Sequence, residues 1–288
     1  MTVDESRVFQ ARSFISEIAS QLDTSPSARL DARILLGIAL GRGHPVLSHE
    51  DICISHAQRA HLERLITQRH NGVPVSRLRG FREFFGLTFW LNDACLDPRP
   101  DSEILVQTAL RLLAEKKGAG WPRIVDLGTG TGCLLLSVLK SHHQARGIGI
   151  DCQPRAIAQA RANAAALGLA DRAAFQLSNW TENLEVRYDL CLCNPPYIAN
   201  DDPECGMEVR AHDPHQALFA GDDGLDDYRR IFEQMPEFLS DEGYMVVEIG
   251  YQQAGQVEQI AKLSGFSLKE RASDLAGRPR CLVFKKTG

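Results

Sequence analysis

The sequence predicts an α/β protein: a doubly wound, mostly parallel sheet with a small helical domain in front of it. Three observations carry this. From Arg123 onward, short apolar runs alternate with helical patterns, the arrangement a parallel sheet requires. A glycine-rich turn, Gly128-Thr-Gly-Thr-Gly132, separates the first of those runs from a helix start. Residues before about position 80 show helical spacing instead.

The front end is read as follows. Ser6 to Leu22 carries Val8, Phe9, Ile15, Ile18, Ala19 and Leu22 on one helical face, and Ser25-Pro26 opens a second helix that stops at Gly41. A third amphipathic helix, Ser55 to Arg69, buries Ala60, Leu62, Leu65 and Ile66 and ends at His70-Asn71-Gly72-Val73-Pro74. No catalytic constellation stands here, so a helical cap or partner-binding domain is expected. Arg77, Arg79 and Arg82 read first as a solvated basic turn and second as a contact for an acidic or RNA-containing partner. Leu87 to Leu91 is strand-like, and a hairpin around Asn92-Asp93 is expected to join the two domains. The expected boundaries are 1–83 for the helical domain, 84–97 for the linking hairpin and 98–288 for the α/β domain.

Asp97-Pro98-Arg99-Pro100-Asp101-Ser102-Glu103 leads into a helix from Ile104 to Lys116, with Asp101 or Ser102 as its cap. Its two prolines stiffen the approach more than a simple linker needs. The strands of the sheet are expected at Ile124–Leu127, Gly147–Ile150, Ala173–Leu177, Leu190–Cys193 and Tyr244–Glu248, with Phe266–Glu270 and Cys281–Phe284 as a closing pair. The helices between them are Cys133–Lys140, Pro154–Leu167, Asp226–Leu239 and Gln253–Ser264. Residues 210–228 form a long loop rich in Asp and Gly, of the kind that often carries function.

Composition narrows the class. Apolar content of 44% and charged content of 24% are ordinary for a soluble protein of 288 residues, which has ample length for a core and for two domains. The net charge of −5 argues against a general nucleic-acid or anionic-membrane binder. The start lacks a basic-then-apolar targeting pattern, and no apolar run reaches membrane-spanning length. Eight scattered cysteines without a Cys-x-x-Cys pair support neither a disulfide framework nor a zinc site. A reduced, cytoplasmic setting is expected, with no metal; His212-x-x-His215 lacks companion ligands.

The chemistry concentrates at Asp189-Leu-Cys-Leu-Cys-Asn-Pro-Pro-Tyr-Ile198. A buried strand, Leu190 to Cys193, must stop at Asn194-Pro195-Pro196-Tyr197, because proline cannot donate to a sheet ladder. An amide, rigid carbonyls and an aromatic ring are thereby held past a strand's carboxyl end, where open α/β sheets bind ligands. This suits a planar NH2 group. The Asn194 side-chain oxygen and the Pro195 carbonyl can accept its two N–H bonds at roughly 2.7–3.2 Å. The Tyr197 ring can cover one face of the group. An amide nitrogen is a poor nucleophile because its lone pair is delocalised; accepting both protons returns density to it and fixes its orientation.

The cofactor side is read from Gly128, Thr129, Gly130, Thr131 and Gly132, where backbone can approach a ligand and a helix start offers free N–H groups. Asp151, 19 residues after Gly132, ends the next strand, where a carboxylate can accept both hydroxyls of a ribose. That pair alone also fits a nicotinamide cofactor. The amide clamp decides for methyl transfer from S-adenosylmethionine, with Trp180 bordering the adenine.

Together Asp126-Leu-Gly-Thr-Gly-Thr-Gly132, Asp151, Cys193-Asn-Pro-Pro-Tyr-Ile198 and Pro98-Arg-Pro-Asp-Ser-Glu103 resemble the bacterial release factor glutamine methyltransferases, the PrmC or HemK family. The resemblance runs over nearly the whole chain, including Arg79-Gly-Phe-Arg-Glu-Phe-Phe85, Asp223-Gly-Leu225 and Asp274-Leu-Ala-Gly-Arg278. It implies the class I, Rossmann-like methyltransferase fold with a seven-stranded sheet. It also implies N5-methylation of the glutamine in the Gly-Gly-Gln tip of class-1 peptide chain release factors. Carried over, Gly128 to Gly132, Asp151, Trp180 and Asn194 contact S-adenosylmethionine. Asn194, Pro195, Pro196 and Tyr197 hold the glutamine, with Asn194, Pro195 and Tyr197 as the catalytic group. The helical domain helps to grip the factor; a monomer is expected, with no sequence-specific nucleic-acid binding. Two positions depart from the family pattern: Asn179 where an acidic residue usually precedes the tryptophan, and Asp97 where an aliphatic residue is usual.

Three rivals differ in substrate or class. A ribosomal-protein glutamine methyltransferase is disfavoured by Asp101, where that group carries serine. A nucleic-acid exocyclic-amine methyltransferase would need a basic or aromatic recognition surface. A non-catalytic S-adenosylmethionine-binding partner of the translation machinery has no use for an intact clamp.

Overall fold

The structure, a computed structural model, describes residues 8–115, 120–274 and 276–287. The chain divides into two compact units, Met1–Gly80 and Phe81–Gly288.

The first unit packs α1 (Ala11–Ser20), α2 (Ala28–Ala39), α3 (His56–His70) and the short α4 (Val75–Arg79) around Phe14, Ile18, Leu22, Leu35, Leu36, Leu62 and Leu65. Ser55 caps α3 in a reciprocal box, accepting from the Gln58 N–H while the Gln58 side chain accepts from the Ser55 N–H. The first helix is shorter than expected. Val8–Gln10 is a strand, β1, paired antiparallel with β2 (Asp51–Cys53), because Phe9 meets Ile52 across the ladder. Ser6 and Arg7, the expected start of that helix, lie outside the described residues.

The second unit opens with a hairpin, β3 (Phe81–Phe84) and β4 (Leu87–Trp90). Its turn is Phe85-Gly86, both at positive φ (50° and 71°), and not Asn92-Asp93. That double left-handed geometry matches the right-handed twist of a two-residue hairpin, which usually uses Asn-Gly. Asn92 turns the chain later, its side chain accepting from the Ala94 N–H at 2.9 Å.

The main sheet has seven strands: β5 (Arg123–Leu127), β6 (Arg146–Asp151), β7 (Ala173–Leu177), β8 (Tyr188–Cys193), β9 (Leu239–Glu248), β10 (Phe266–Ser273) and β11 (Pro279–Lys286). Their order is β10-β11-β9-β8-β5-β6-β7. The ladders from β9 across to β7 are parallel, and β11 runs antiparallel to both neighbours. Alternation along the strands builds two cores. Ile124, Leu190, Leu192, Val246 and Val283 meet α5 (Glu103–Glu115), α6 (Cys133–Ser141) and α7 (Pro154–Ala166) on one face. Val125, Leu127, Cys191, Cys193, Met245 and Val247 meet α9 (Asp226–Gln234) and α10 (Ala254–Leu263) on the other. Cys191 and Cys193 thus serve as small apolar residues of one face.

Two further expectations are corrected. The helix predicted to Leu239 ends at Gln234, where Met235-Pro236-Glu237 makes a 3-10 turn and Leu239 already begins β9. The segment 210–228 is partly regular: α8 (Met207–His212), a 3-10 turn His215–Ala217 and a bridge from Phe219 to Ile198. No described helix is long and apolar enough to cross a membrane.

Candidate active site

Sheet order places the site. β5 has β6 on one side and β8 on the other, and its connections leave in both directions, so a crevice opens past the carboxyl ends of β5 and β8. A cavity of about 540 Å³ occupies it, within the size range of small-ligand sites.

One wall is the glycine turn after β5. The Gly128 and Thr129 N–H groups both donate to the Ile150 carbonyl (2.9 and 2.8 Å), pinning the turn to β6. A Cβ on Gly130 would meet nothing within 4 Å, so this glycine faces open space at a left-handed φ of 54°. Gly132 serves packing: a Cβ there would come within 3.0 Å of Leu136, and it does not line the cavity. Asp151 ends β6 and faces the turn. Its Oδ2 accepts from the Gly130 N–H and its Oδ1 from the Gln153 N–H, each at 2.9 Å. A carboxylate has about four lone-pair positions, so each oxygen keeps one for a ligand. Burial raises the Asp151 pKa, and those backbone N–H groups oppose the rise.

Trp180 stands over the turn, its ring 3.4 Å from the place a Gly128 Cβ would take. It has a left-handed φ of 52°, a strained conformation for a bulky residue. The indole hydrogen-bonds the Asp227 carboxylate of α9 and packs against the second core while lining the cavity. Asn179 also lines it, its amide nitrogen donating to Glu182 at 2.6 Å.

The other wall belongs to Asn194 and the proline-rich segment before α5. Asn194 and Pro196 line the cavity; Pro195 is buried, and Tyr197 leans into the second core with its hydroxyl 3.4 Å from Glu248. The Asn194 Nδ2 donates to Ser102 Oγ at 3.4 Å, which turns the amide oxygen, an acceptor, the opposite way. Asp101 and Ser102 lie within a 3-10 turn, Pro100–Ser102, that runs directly into α5. Asp101 pairs with Arg280 at 3.3 Å, and Ser102 stands near Glu248, where it opposes the rise in that carboxyl's pKa. Arg99 reaches the buried Asp213, tying this segment to the chain that follows β8. Gly224, at φ 71°, lies under Tyr197, where a Cβ would come within 2.4 Å of the Tyr197 carbonyl.

Sequence reasoning therefore gathered Gly128–Thr131, Asp151, Trp180, Asn194 and Pro196, which share one cavity. It missed Ser102 as a site residue, Glu248, Asp227 and the Arg99–Asp213 pair. A carboxylate closing the apolar run Tyr244–Val247 was the available signal for Glu248. Asp97, without explanation in the sequence, is buried within 4.0 Å of the Arg82 guanidinium.

Asp126 lies beneath the turn, accepting from the Thr129 hydroxyl at 2.7 Å. Burial pushes its carboxyl up to about 7 despite that bond. Between the unfolded-state value of 3.8 and about 7, the native state keeps a proton the unfolded chain has released. Its contribution therefore lowers stability as pH rises through that window and is flat below it. Asp126→Asn is expected to lose this slope, so its stability relative to the wild type rises by about 3 kcal/mol from pH about 4 to about 8. Urea unfolding at the two pH values checks this; an unchanged difference would contradict it.

Known proteins match this arrangement. Residues 122–272 match a family described as a methyltransferase domain, and residues 13–80 match the PrmC N-terminal domain. The release factor glutamine methyltransferase of Bradyrhizobium diazoefficiens is 42% identical over 262 residues, covering 90% of this chain and 88% of that protein. The Escherichia coli protein of the same name is 35% identical over 269 residues, covering 93% and 95%. A methyltransferase from Pyrococcus furiosus superimposes at a TM-score of 0.53 and 15% identity, over 71% of this chain and 91% of that one, which is a likeness of fold alone. With both domains matched and the curated relatives aligned along nearly their full length, the chain belongs to the release factor glutamine methyltransferase family.

Proposed function

We propose that this protein transfers the methyl group of S-adenosylmethionine to the side-chain amide nitrogen, N5, of the glutamine in the Gly-Gly-Gln motif of class-1 peptide chain release factors. The reading rests on one observation above the others: Asn194 borders the cavity with its donor end tied to Ser102, leaving an acceptor for a substrate N–H.

The residues present fit the cofactor. Asp151 keeps two lone pairs for ribose hydroxyls, Gly130 leaves open space beside it, and Trp180 offers an apolar face near the turn. S-adenosylmethionine, when bound, supplies a methyl group on an electrophilic sulfonium.

The chain's own work is positional. Asn194 Oδ1 and the Pro195 carbonyl accept the two N–H bonds of the glutamine amide, which localises density on nitrogen and aims it. As the nitrogen gains its bond to the methyl carbon, the sulfur–methyl bond would break and leave its electron pair on sulfur; the nitrogen becomes acidic, and its proton departs to water without a dedicated base. Tyr197 supports the clamp, its hydroxyl held by Glu248.

The first unit, through Gly80, serves recognition of the factor in this reading, and residues 98–288 the chemistry. The protein acts as a monomer in the cytoplasm; a reducing setting is supported by free cysteines, of which Cys95, Cys191, Cys193 and Cys281 are buried.

The test offers labelled S-adenosylmethionine with purified release factor, ribosomal proteins or RNA in separate reactions. Label on the release factor is the expected result. Label confined to ribosomal protein or RNA would replace this substrate with a rival.

A further inference from the structure

The amide of Asn194 has two orientations of nearly equal shape, and only one presents oxygen to a substrate N–H. Something must choose between them. The register of β8 and β9 pairs Cys193 with Val247, so Asn194, just past the end of β8, follows the same register as Glu248, the last residue of β9. Glu248 is 1% exposed, its Oε2 has no hydrogen-bond partner among the described residues, and its Oε1 faces the Tyr197 hydroxyl at 3.4 Å. Ser102, 2% exposed, accepts from Asn194 Nδ2 at 3.4 Å and stands close enough to Glu248 to oppose the rise in its pKa.

We infer that Glu248 is a positioning residue that sets the orientation of the Asn194 amide through the Ser102 hydroxyl, so that Asn194 presents its oxygen to the substrate amide. An ionised carboxylate can only accept, so the one Ser102 proton points at Glu248. Ser102 Oγ then has only lone pairs for its other neighbour, which must offer N–H; Asn194 therefore turns Nδ2 to Ser102 and Oδ1 to the substrate. With a donor in place of the carboxylate, the Ser102 proton is released toward Asn194, and the amide is free to present NH2 to the substrate NH2, which itself only donates.

Protonation of Glu248 supplies such a donor. Burial pushes Glu248 up to about 7, against the opposing effects of Ser102, Arg280 and Tyr197. The charged groups facing it are Arg280 from β11 and Asp101 from the 3-10 turn. Tyr197, Cys193, Cys281 of β11, Cys133 of α6 and Tyr228 of α9 are raised by burial and stay neutral near pH 7. Glu248 therefore changes charge there, as does Asp126 beneath the glycine turn, which is also pushed up to about 7.

The inference rests on the amide-methylation reading, and the experiment separates the two. Wild type, Glu248→Gln, Ser102→Ala and the double variant are compared for kcat and KM toward the release factor. Affinities for S-adenosylmethionine and, without cofactor, for the release factor are taken by calorimetry. Glu248→Gln is expected to lower kcat by about 5- to 50-fold, the equivalent of one misdirected buried hydrogen bond, with cofactor affinity unchanged. Cofactor-free affinity for the factor should fall by about threefold to tenfold. The double variant should be no slower than Ser102→Ala, because both residues act through one path. The fall of wild-type kcat as pH drops through about 7 should be absent in Glu248→Gln and retained in Asp126→Asn. Unchanged kcat in Glu248→Gln, additive losses in the double variant, or an intact acid limb would each overturn the inference. A wild type that does not methylate the factor would instead overturn the function.

Discussion

Asn194→Ala is expected to lower kcat about a hundred- to a thousandfold, the usual scale for losing one preorganised polar partner, and to cost S-adenosylmethionine affinity much less. The reason lies in what the amide nitrogen lacks. Its lone pair is committed to the carbonyl, and in the proposed mechanism the site restores it by accepting protons, not by removing one. Without Asn194 Oδ1, a buried N–H has no acceptor at a cost of about 1–3 kcal/mol, and the nitrogen loses its aim. Asn194 Nδ2 touches Ser102 on the protein side, while Asp151 and the glycine turn form the opposite wall, so cofactor affinity should survive. Single-turnover kinetics beside a calorimetric titration check this. A wild-type rate would remove the clamp; equal losses in rate and cofactor affinity would make Asn194 a binding residue only.

Asp151→Ala should act on the other half of the site. Two charge-assisted bonds to ribose hydroxyls are each worth about 1.5–3 kcal/mol, so S-adenosylmethionine affinity is expected to fall by about a hundredfold or more. Part of that loss belongs to the turn, since Asp151 also holds the Gly130 N–H at 2.9 Å. Asp151→Asn separates the two effects. It preserves shape and one acceptor, so its loss should be the smaller; a loss equal to that of Asp151→Ala would assign the effect to charge. Undiminished affinity in Asp151→Ala would end the ribose assignment.

Most of the sheet was legible because each strand is a local apolar run with punctuation. Ala173–Leu177 matches β7 residue for residue, bounded by the helix before it and the polar turn after it. The wall residues Gly128–Thr131, Asp151 and Asn194 were legible for a related reason: each sits at a strand's carboxyl end, a place that pattern alone identifies. What failed was non-local. Val8–Gln10 reads as helix because its partner, Asp51–Cys53, lies far along the chain. The Phe85-Gly86 turn hid behind an aromatic in a left-handed conformation, held there with its N–H donating to Glu103 at 2.8 Å. Ser102 and Glu248 meet only once α5 and β9 have both packed beside β8, a juxtaposition no spacing encodes. Tyr197, read as a cover for the substrate, has its hydroxyl 3.4 Å from Glu248 and its ring against the second core, neighbours that no spacing encodes.

The central claim is that this site methylates one glutamine side chain. Its most direct test incubates the protein with labelled S-adenosylmethionine and a release factor, beside a copy of that factor in which the Gly-Gly-Gln glutamine is alanine. The account predicts label on the intact factor alone, placed on that glutamine by tandem mass spectrometry. Equal label on both copies would contradict it by moving the target elsewhere.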